Sequence, residues 1–123
     1  MARIAKLDRG MTEHQEQTLL ISWLERMGIR FYAIPNGQYK NRATAAKFKR
    51  EGLKSGVPDV CLPIPTKSYH GLYIELKRKK GSRVSATQVE WLGYLRSVGY
   101  YADIAYGFDE ARDMVLAYLK AGC

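Results

Sequence analysis

Hydrophobic residues recur at the helical period in some stretches of the chain and at the strand period in others. Two helical stretches open with a capping box, in which Thr12 is followed by Gln15 and Ser85 by Gln88. The first helix ends at Gly28. Two more helices are predicted, a short basic one over residues 43–50 and a last one over residues 109–120. The predicted inward faces are Leu20, Trp23, Leu24 and Met27; Trp91, Leu92, Leu95 and Val98; and Ala111, Met114, Val115 and Tyr118.

Four short apolar stretches between these helices predict strands, at residues 31–34, 57–62, 72–77 and 100–106. The loop between the second and the third contains Pro63, Pro65 and Gly71, so we expect these two strands to pair as a hairpin. The element order α-β-α-β-β-α-β-α predicts one α/β domain, a mixed sheet flanked by helices, over residues 12–123. Residues 1–11 are polar and irregular, and we expect them to form a flexible lead.

Composition and charge narrow the classes of protein to consider. The chain of 123 residues is long enough for one core, and its formal net charge of +8 indicates an anionic partner, most commonly nucleic acid. Cys61 and Cys123 do not make a disulfide framework or a zinc site. No stretch approaches the roughly 20 apolar residues of a membrane span. We therefore expect a soluble, cytoplasmic protein that does not act at a membrane.

The positive charge is concentrated in two segments of the chain. Residues 36–54 contain six Lys or Arg and one acid, and residues 77–83 contain five and no acid. Most charge runs are solvated faces, but single-signed runs beside aromatic residues and glycine turns are typical of surfaces that contact phosphates. The residues that we expect to contact DNA are Asn36, Lys40, Arg42, Lys47, Arg78, Lys79, Lys80 and Arg83.

The predicted hairpin carries three charged side chains, which are costly in apolar strands unless they are paired or bind a metal. Side chains alternate along a strand, so Glu75 and Lys77 share a face, and a correct register brings Asp59 to the same edge. Two carboxylates suit Mg²⁺ or Mn²⁺ bound to phosphate oxygens, and a lysine can orient or deprotonate a water or stabilise charge on the phosphate. A solvated face with an E-x-K pair is the plainer alternative. The combination of Asp59 in one apolar strand, Glu75 and Lys77 in the next and a basic segment after them favours phosphodiester hydrolysis over that alternative.

Residues on two helices offer further candidates. Glu13 and Glu16 lie three apart on one helix face, and either can reach a metal or interact with the N-terminus of its own helix. Gln88 is in register with the apolar face of its helix. It either caps this helix or bonds to the carboxylates of the metal site. Both alternatives stay open at the level of sequence.

The segments 56–59 (Gly-Val-Pro-Asp), 74–77 (Ile-Glu-Leu-Lys) and 85–91, with the turn at residues 35–37, resemble the PD-(D/E)XK nucleases. The closer resemblance is to their VRR-NUC branch, and it spans about residues 12–119. It implies a restriction-endonuclease-like core related to Holliday-junction resolvases. A chain this short resembles the standalone VRR-NUC proteins of bacteria and phages. If a phage encodes it, the resemblance implies that it acts in the cytoplasm of the host cell.

The resemblance also implies roles for individual residues. Asp59, Glu75 and the backbone carbonyl of Leu76 would bind Mg²⁺ or Mn²⁺, and Lys77 would be the catalytic lysine. Gln88 matches the glutamine that this branch carries on the following helix. An acid from the first helix, Glu13 or Glu16, would complete the site.

These inferences predict a metal-dependent DNA endonuclease that is selective for DNA structure, such as a Holliday junction, a flap or another branch. Fold analogy implies a homodimer. Its contact surface is expected at Tyr100, Tyr101 and Tyr106 or on the last helix. The alternatives are a non-catalytic DNA-binding module of a larger complex and an RNA-directed nuclease.

Overall fold

The computed structural model describes residues 10–35 and 41–121. In chain order their elements are α1 (Glu13–Met27), β1 (Tyr32–Ala33), α2 (Arg42–Arg50), β2 (Val60–Leu62), β3 (Leu72–Lys77), α3 (Ala86–Ser97), β4 (Tyr101–Tyr106) and α4 (Phe108–Ala121). This order confirms the predicted α/β class. Residues 36 and 37 of the predicted turn, the end of the chain at Cys123 and most of the predicted flexible lead lie outside the described residues.

The strands form one mixed sheet in the order β1-β2-β3-β4. β2 pairs antiparallel with both β1 and β3, which confirms the predicted hairpin, whereas β3 and β4 run parallel. Parallel strands need a long crossover connection, and α3 supplies it here. The carboxyl ends of β3 and β4 consequently meet at one edge of the sheet, which is where Glu75 and Lys77 lie.

β2 begins three residues later than predicted because of its proline. Pro58 has no N–H, so the ladder to β3 opens at Asp59, whose N–H donates to the Ile74 carbonyl at 3.0 Å. The Asp59 carbonyl accepts from the Ile34 N–H at 2.7 Å. The backbone of Asp59 is therefore held from both sides of β2.

Local interactions fix the ends of α1 and α3 as predicted. Thr12 and Ser85 each form a complete capping box with a glutamine three residues on. Gly28 ends α1 in the left-handed conformation, with φ of 68°. These three positions need no tertiary contact to act, which explains why the sequence alone locates them.

Helices cover both faces of the sheet. Leu20 and Leu24 of α1 and Val115 of α4 pack on one face, and Leu92 and Leu95 of α3 pack with Ala102 on the other. The predicted inward faces are confirmed in their centres and wrong at two ends. Met27 is 55% exposed and Val98 is 42% exposed, because each lies where its helix stops and no further layer covers it.

α2 differs from the other helices, since none of its residues is buried. Cys61 is a buried free thiol, as expected for a small core residue. Within the described residues, no helix is long and apolar enough to cross a membrane.

Candidate metal centre

Three carboxylates converge where β2, β3 and the start of α1 meet. Glu13, Asp59 and Glu75 each offer one oxygen, and these oxygens lie within 4.8 Å of one another. Asp59 and Glu75 are 4% and 2% exposed. The hairpin register thus brings together the two strand carboxylates that the sequence singled out, and α1 adds the third.

Hydrogen bonds from neighbouring elements orient both strand carboxylates. The Leu76 N–H donates to Asp59 Oδ2 at 2.7 Å, so β3 fixes the aspartate of the preceding strand. Glu75 Oε2 accepts from Gln88 Nε2 at 3.2 Å and lies 3.9 Å from Lys77 Nζ. The two carboxylates also interact with each other through a side-chain hydrogen bond, so they lie close enough to share one metal or one proton.

Gln88 both caps its own helix and bonds to a carboxylate of the cluster, the two alternatives that the sequence left open. Its Oε1 accepts from the Ser85 N–H at 2.9 Å, which completes the cap of α3, while its Nε2 donates to Glu75. One side chain therefore couples the start of α3 to the carboxylate cluster. The helix N-terminus cannot shift without disturbing Glu75.

Burial raises the pKa values of all three carboxylates, and the charge of Asp59 further raises those of Glu75 and Glu13. Burial, then the charge of Asp59, raises the pKa of Glu75 from its ordinary 4.5 to about 9. Burial raises the pKa of Asp59, and burial and then Asp59 raise the pKa of Glu13. The single ammonium of Lys77 does not offset three acids. An all-oxygen donor set of this charge fits Mg²⁺ or Mn²⁺.

The second candidate on α1, Glu16, lies apart from the cluster. It is buried, and its Oε1 accepts from the Phe108 N–H at 2.9 Å, at the first residue of α4. Of the two acids expected to complete the site from the first helix, Glu16 therefore does not join the carboxylate cluster. Glu16 caps a different helix from its own, and Glu13 occupies the place at the cluster.

A cleft of about 360 Å³ opens onto the carboxylates, and Lys77, Arg83, Ser55 and Thr87 also line it. The loop before β2 passes so close to α3 that a Cβ on Gly56 would lie 2.6 Å from the Thr87 backbone carbon. Gly56 also has φ of 88°, so a glycine is needed there on both counts. Sequence reasoning did not single out Ser55 and Thr87, because only the closeness of this loop and α3 brings them together.

The predicted DNA contacts are spread over three regions. Arg83 lines the cleft, and Arg42 and Lys47 are exposed on α2. Lys79 Nζ lies 3.7 Å from Asp109 Oδ2, and Arg78 Nη2 donates to the Gly81 carbonyl. Lys80 is exposed, and Asn36 and Lys40 lie outside the described residues.

Comparison with known proteins agrees with this fold. The family model described as "VRR-NUC domain" matches residues 11–109. A solved structure of a "VRR_NUC domain protein" superposes with a TM-score of 0.80 at 33% identity, covering 92% of each chain. No curated protein matches the chain. The family match implies a nuclease-type fold of the PD-(D/E)XK superfamily. Within that superfamily, the chain belongs to the VRR-NUC domain family.

Proposed function

We propose that this protein is a Mg²⁺- or Mn²⁺-dependent endonuclease that hydrolyses phosphodiester bonds in DNA. The observation that carries the proposal is the convergence of Glu13, Asp59 and Glu75 within 4.8 Å beside a buried lysine. A metal held there would polarise the scissile phosphate and lower the pKa of a bound water. The proposed ligands are these carboxylates and the Leu76 carbonyl.

The remaining residues of the cleft have distinct proposed roles. Lys77 is 6% exposed, so its ammonium acts in a site that is largely closed to water, where it interacts strongly with a phosphate oxygen or an attacking water. Gln88 holds Glu75 in orientation. Arg83, on the rim of the cleft, contributes a second positive charge that can bind a neighbouring phosphate.

The preferred substrate in this proposal is branched DNA, such as a four-way junction or a flap. The described residues contain no separate base-reading module, and the four helices and the sheet are used to build the nuclease core. A core of this kind contacts phosphates and shape more than base edges. Branch points then provide the distinguishing feature of the substrate.

Cleavage assays with two point variants test the catalytic assignment. Lys77→Met removes the amine but keeps an apolar stem, and Asp59→Asn removes one ligand charge but keeps an acceptor for the Leu76 N–H. We expect each to lower the cleavage rate by about a hundredfold or more with Mn²⁺. The assay uses labelled linear duplex, flap and four-way junction DNA, with the matching RNA duplex alongside.

Lys67→Ala is the matched control, since it removes an exposed lysine from the loop between β2 and β3. It should cut at the wild-type rate. Cleavage by Lys77→Met at the wild-type rate would exclude the proposed role of the amine. Cleavage of RNA in preference to every DNA substrate would replace the proposed substrate class, and binding without cleavage by the wild type would favour a DNA-binding module.

We also propose a homodimer, which would present two clefts to two strands. The three tyrosines named from sequence do not form one surface. Tyr101 packs with Tyr69 and Tyr118, whereas Tyr100 packs with Tyr73. Exposed apolar side chains remain at Tyr106 (39% exposed) and on α4 at Leu116 (45% exposed).

Sedimentation equilibrium tests the dimer. The wild type should give twice the chain mass of 14.0 kDa, and Leu116→Lys or Tyr106→Lys should reduce the measured mass to that of a single chain. A wild-type monomer at micromolar concentration would contradict the dimer.

A further inference from the structure

The turn between β4 and α4 holds the end of β3, where Lys77 lies. This turn is a single residue, Gly107, whose N–H donates to the Lys77 carbonyl at 2.8 Å. β3 ends at Lys77, and the three residues that follow it are exposed. The position of the Lys77 ammonium beside Glu75 consequently depends on where the turn at Gly107 is held.

A buried carboxylate from α1 holds this turn. Glu16 is 1% exposed, and its Oε1 accepts from the Phe108 N–H at 2.9 Å, one residue beyond Gly107. Its other oxygen, Oε2, has no hydrogen-bond partner among the described residues. An uncharged cap would satisfy the same N–H without burying an unpaired carboxylate oxygen, so capping alone does not explain the charge. A charged acceptor forms the stronger hydrogen bond, which holds the turn more rigidly.

Lys79 forms a second contact between the end of β3 and the same turn. Its stem passes so close that a Cβ on Gly107 would lie 2.6 Å from Lys79 Cε and 3.3 Å from Glu16 Oε2. Lys79 Nζ also lies 3.7 Å from Asp109 Oδ2, in the first turn of α4. The end of β3 and the start of α4 are therefore held together at two points, and the Glu16 carboxylate lies at one of them.

We infer that Glu16 is a positioning residue that holds Lys77 in place through the turn at Gly107. This role rests on the proposed nuclease function and adds a residue to the same site. Glu13, three residues earlier on the same helix face, reaches the carboxylate cluster. The start of α1 thus fixes one candidate metal ligand directly and the amine through the backbone of the turn. It thereby sets the spacing between the metal and the amine across which the phosphate must lie.

Steady-state kinetics test the inference at a temperature where circular dichroism shows each variant to be folded. Glu16→Ala should lower kcat about tenfold or more at saturating Mn²⁺ and DNA, because the lysine loses its alignment, and should change KM less than about twofold. Glu16→Gln keeps an acceptor oxygen for the Phe108 N–H and should stay within about threefold of the wild-type kcat.

Val115→Ala is the matched control for lost stability. It removes a buried side chain from the same layer between α1 and α4, so it destabilises the fold without contacting the turn. Its kcat should equal that of the wild type. An equal loss of kcat in Val115→Ala and Glu16→Ala would overturn the inference, and so would a wild-type kcat in Glu16→Ala.

A double variant tests whether Glu16 acts through Lys77. Lys77→Met already lacks the amine, so adding Glu16→Ala to it should lower the cleavage rate by less than about twofold. Fully additive losses would mean that Glu16 affects the reaction by another route, and they would contradict the positioning role.

Amide hydrogen exchange in the metal-free protein tests the structural link without turnover. Glu16→Ala should speed exchange of the Gly107 amide about tenfold more than that of the Asp59 amide, which donates to Ile74 in the same sheet. Val115→Ala should speed both amides equally. If the wild type cuts no substrate, the proposed function fails, and this exchange alone decides whether Glu16 holds the turn. If the wild type cuts but both amides of Glu16→Ala exchange alike, only the positioning role fails.

Discussion

Glu75 is the residue at which stability and function oppose each other. Its pKa is raised to about 9, mainly by burial and then by Asp59. Without metal, the folded protein therefore holds a proton on Glu75 that the unfolded chain releases above about pH 4.5. The folded state binds more protons than the unfolded state between these two values, so the free energy of unfolding falls as the pH rises from about 4.5 to about 9. Raised pKa values of Asp59 and Glu13 act in the same direction.

Glu75→Gln should accordingly stabilise the metal-free protein at about pH 8. The amide oxygen can still accept from Gln88, and the folded protein no longer has to take up a proton at this position. In EDTA, the Tm of Glu75→Gln should depend less on pH than the wild-type Tm between about pH 5 and about pH 9. Added Mn²⁺ should raise the wild-type Tm more than that of the variant. Glu90→Gln, on the exposed surface of α3, should leave both behaviours unchanged. Equal pH slopes for wild type and Glu75→Gln would contradict the electrostatic account.

Side-chain alternation explains why these residues could be found from sequence. Asp59, Glu75 and Lys77 are the charged members of two apolar strands, and the pairing of Val60 with Ile74 brings them to one edge. The choice between Glu13 and Glu16 could not be made in the same way. They share a helix face, and only the packing of α1 against α4 directs one to the cluster and the other to Phe108.

At the scale of elements, Glu16 joins two helices that cover the same face of the sheet. Its Oε1 caps α4 at Phe108, although it belongs to α1, and Gly107 precedes that cap with φ of 91°. Glu16→Ala should lower the free energy of unfolding by about 2 kcal/mol, because it leaves the Phe108 N–H without its acceptor. Urea denaturation measures this loss, and Glu16→Gln, which keeps an acceptor oxygen, should lose less.

The same variants separate capping from metal binding. Mn²⁺ affinity of folded Glu16→Ala should match the wild type, whereas Glu13→Gln should bind Mn²⁺ more weakly and unfold at no lower urea concentration. A large loss of Mn²⁺ affinity in Glu16→Ala with no loss of stability would mean that Glu16, not Glu13, serves the metal.

Element boundaries show which signals are local. The two capping boxes and Gly28 act within one turn of helix, and the structure places them as predicted. The start of β2 depends instead on its partner, since the ladder begins where Asp59 meets Ile74. The burial of Met27 depends on where the covering layer ends. The spacing of hydrophobic residues along the sequence indicates neither where β2 begins nor where the layer that covers α1 ends.

At the scale of the whole molecule, the net charge of +8 and the acidic cluster occupy different places. The acids are buried in the cleft, whereas α2 carries Arg42, Lys47, Lys49 and Arg50 on a helix with no buried residue. Such a helix contributes little to the core. Its sequence is explained better by a surface that binds a polyanion than by the stability of the fold, and this argument leads to a test of its charge.

Arg42→Ala combined with Lys47→Ala should weaken DNA binding without affecting the fold. If both side chains contact phosphates, the slope of log affinity against log salt should lose about 1.8 units, at about 0.9 per contact. Fluorescence anisotropy with duplex and flap DNA in Ca²⁺, between about 50 and 200 mM salt, measures the slope, and urea denaturation should be unchanged.

Lys67→Ala combined with Lys120→Ala is the matched control. Each double variant removes two positive charges and lowers the formal net charge from +8 to +6, but the control removes them from exposed positions outside α2. Equal slopes for the two double variants would mean that the protein attracts DNA through its overall charge. A shallower slope for the α2 variant alone would identify α2 as the surface that holds the DNA backbone while the cleft acts on one phosphate.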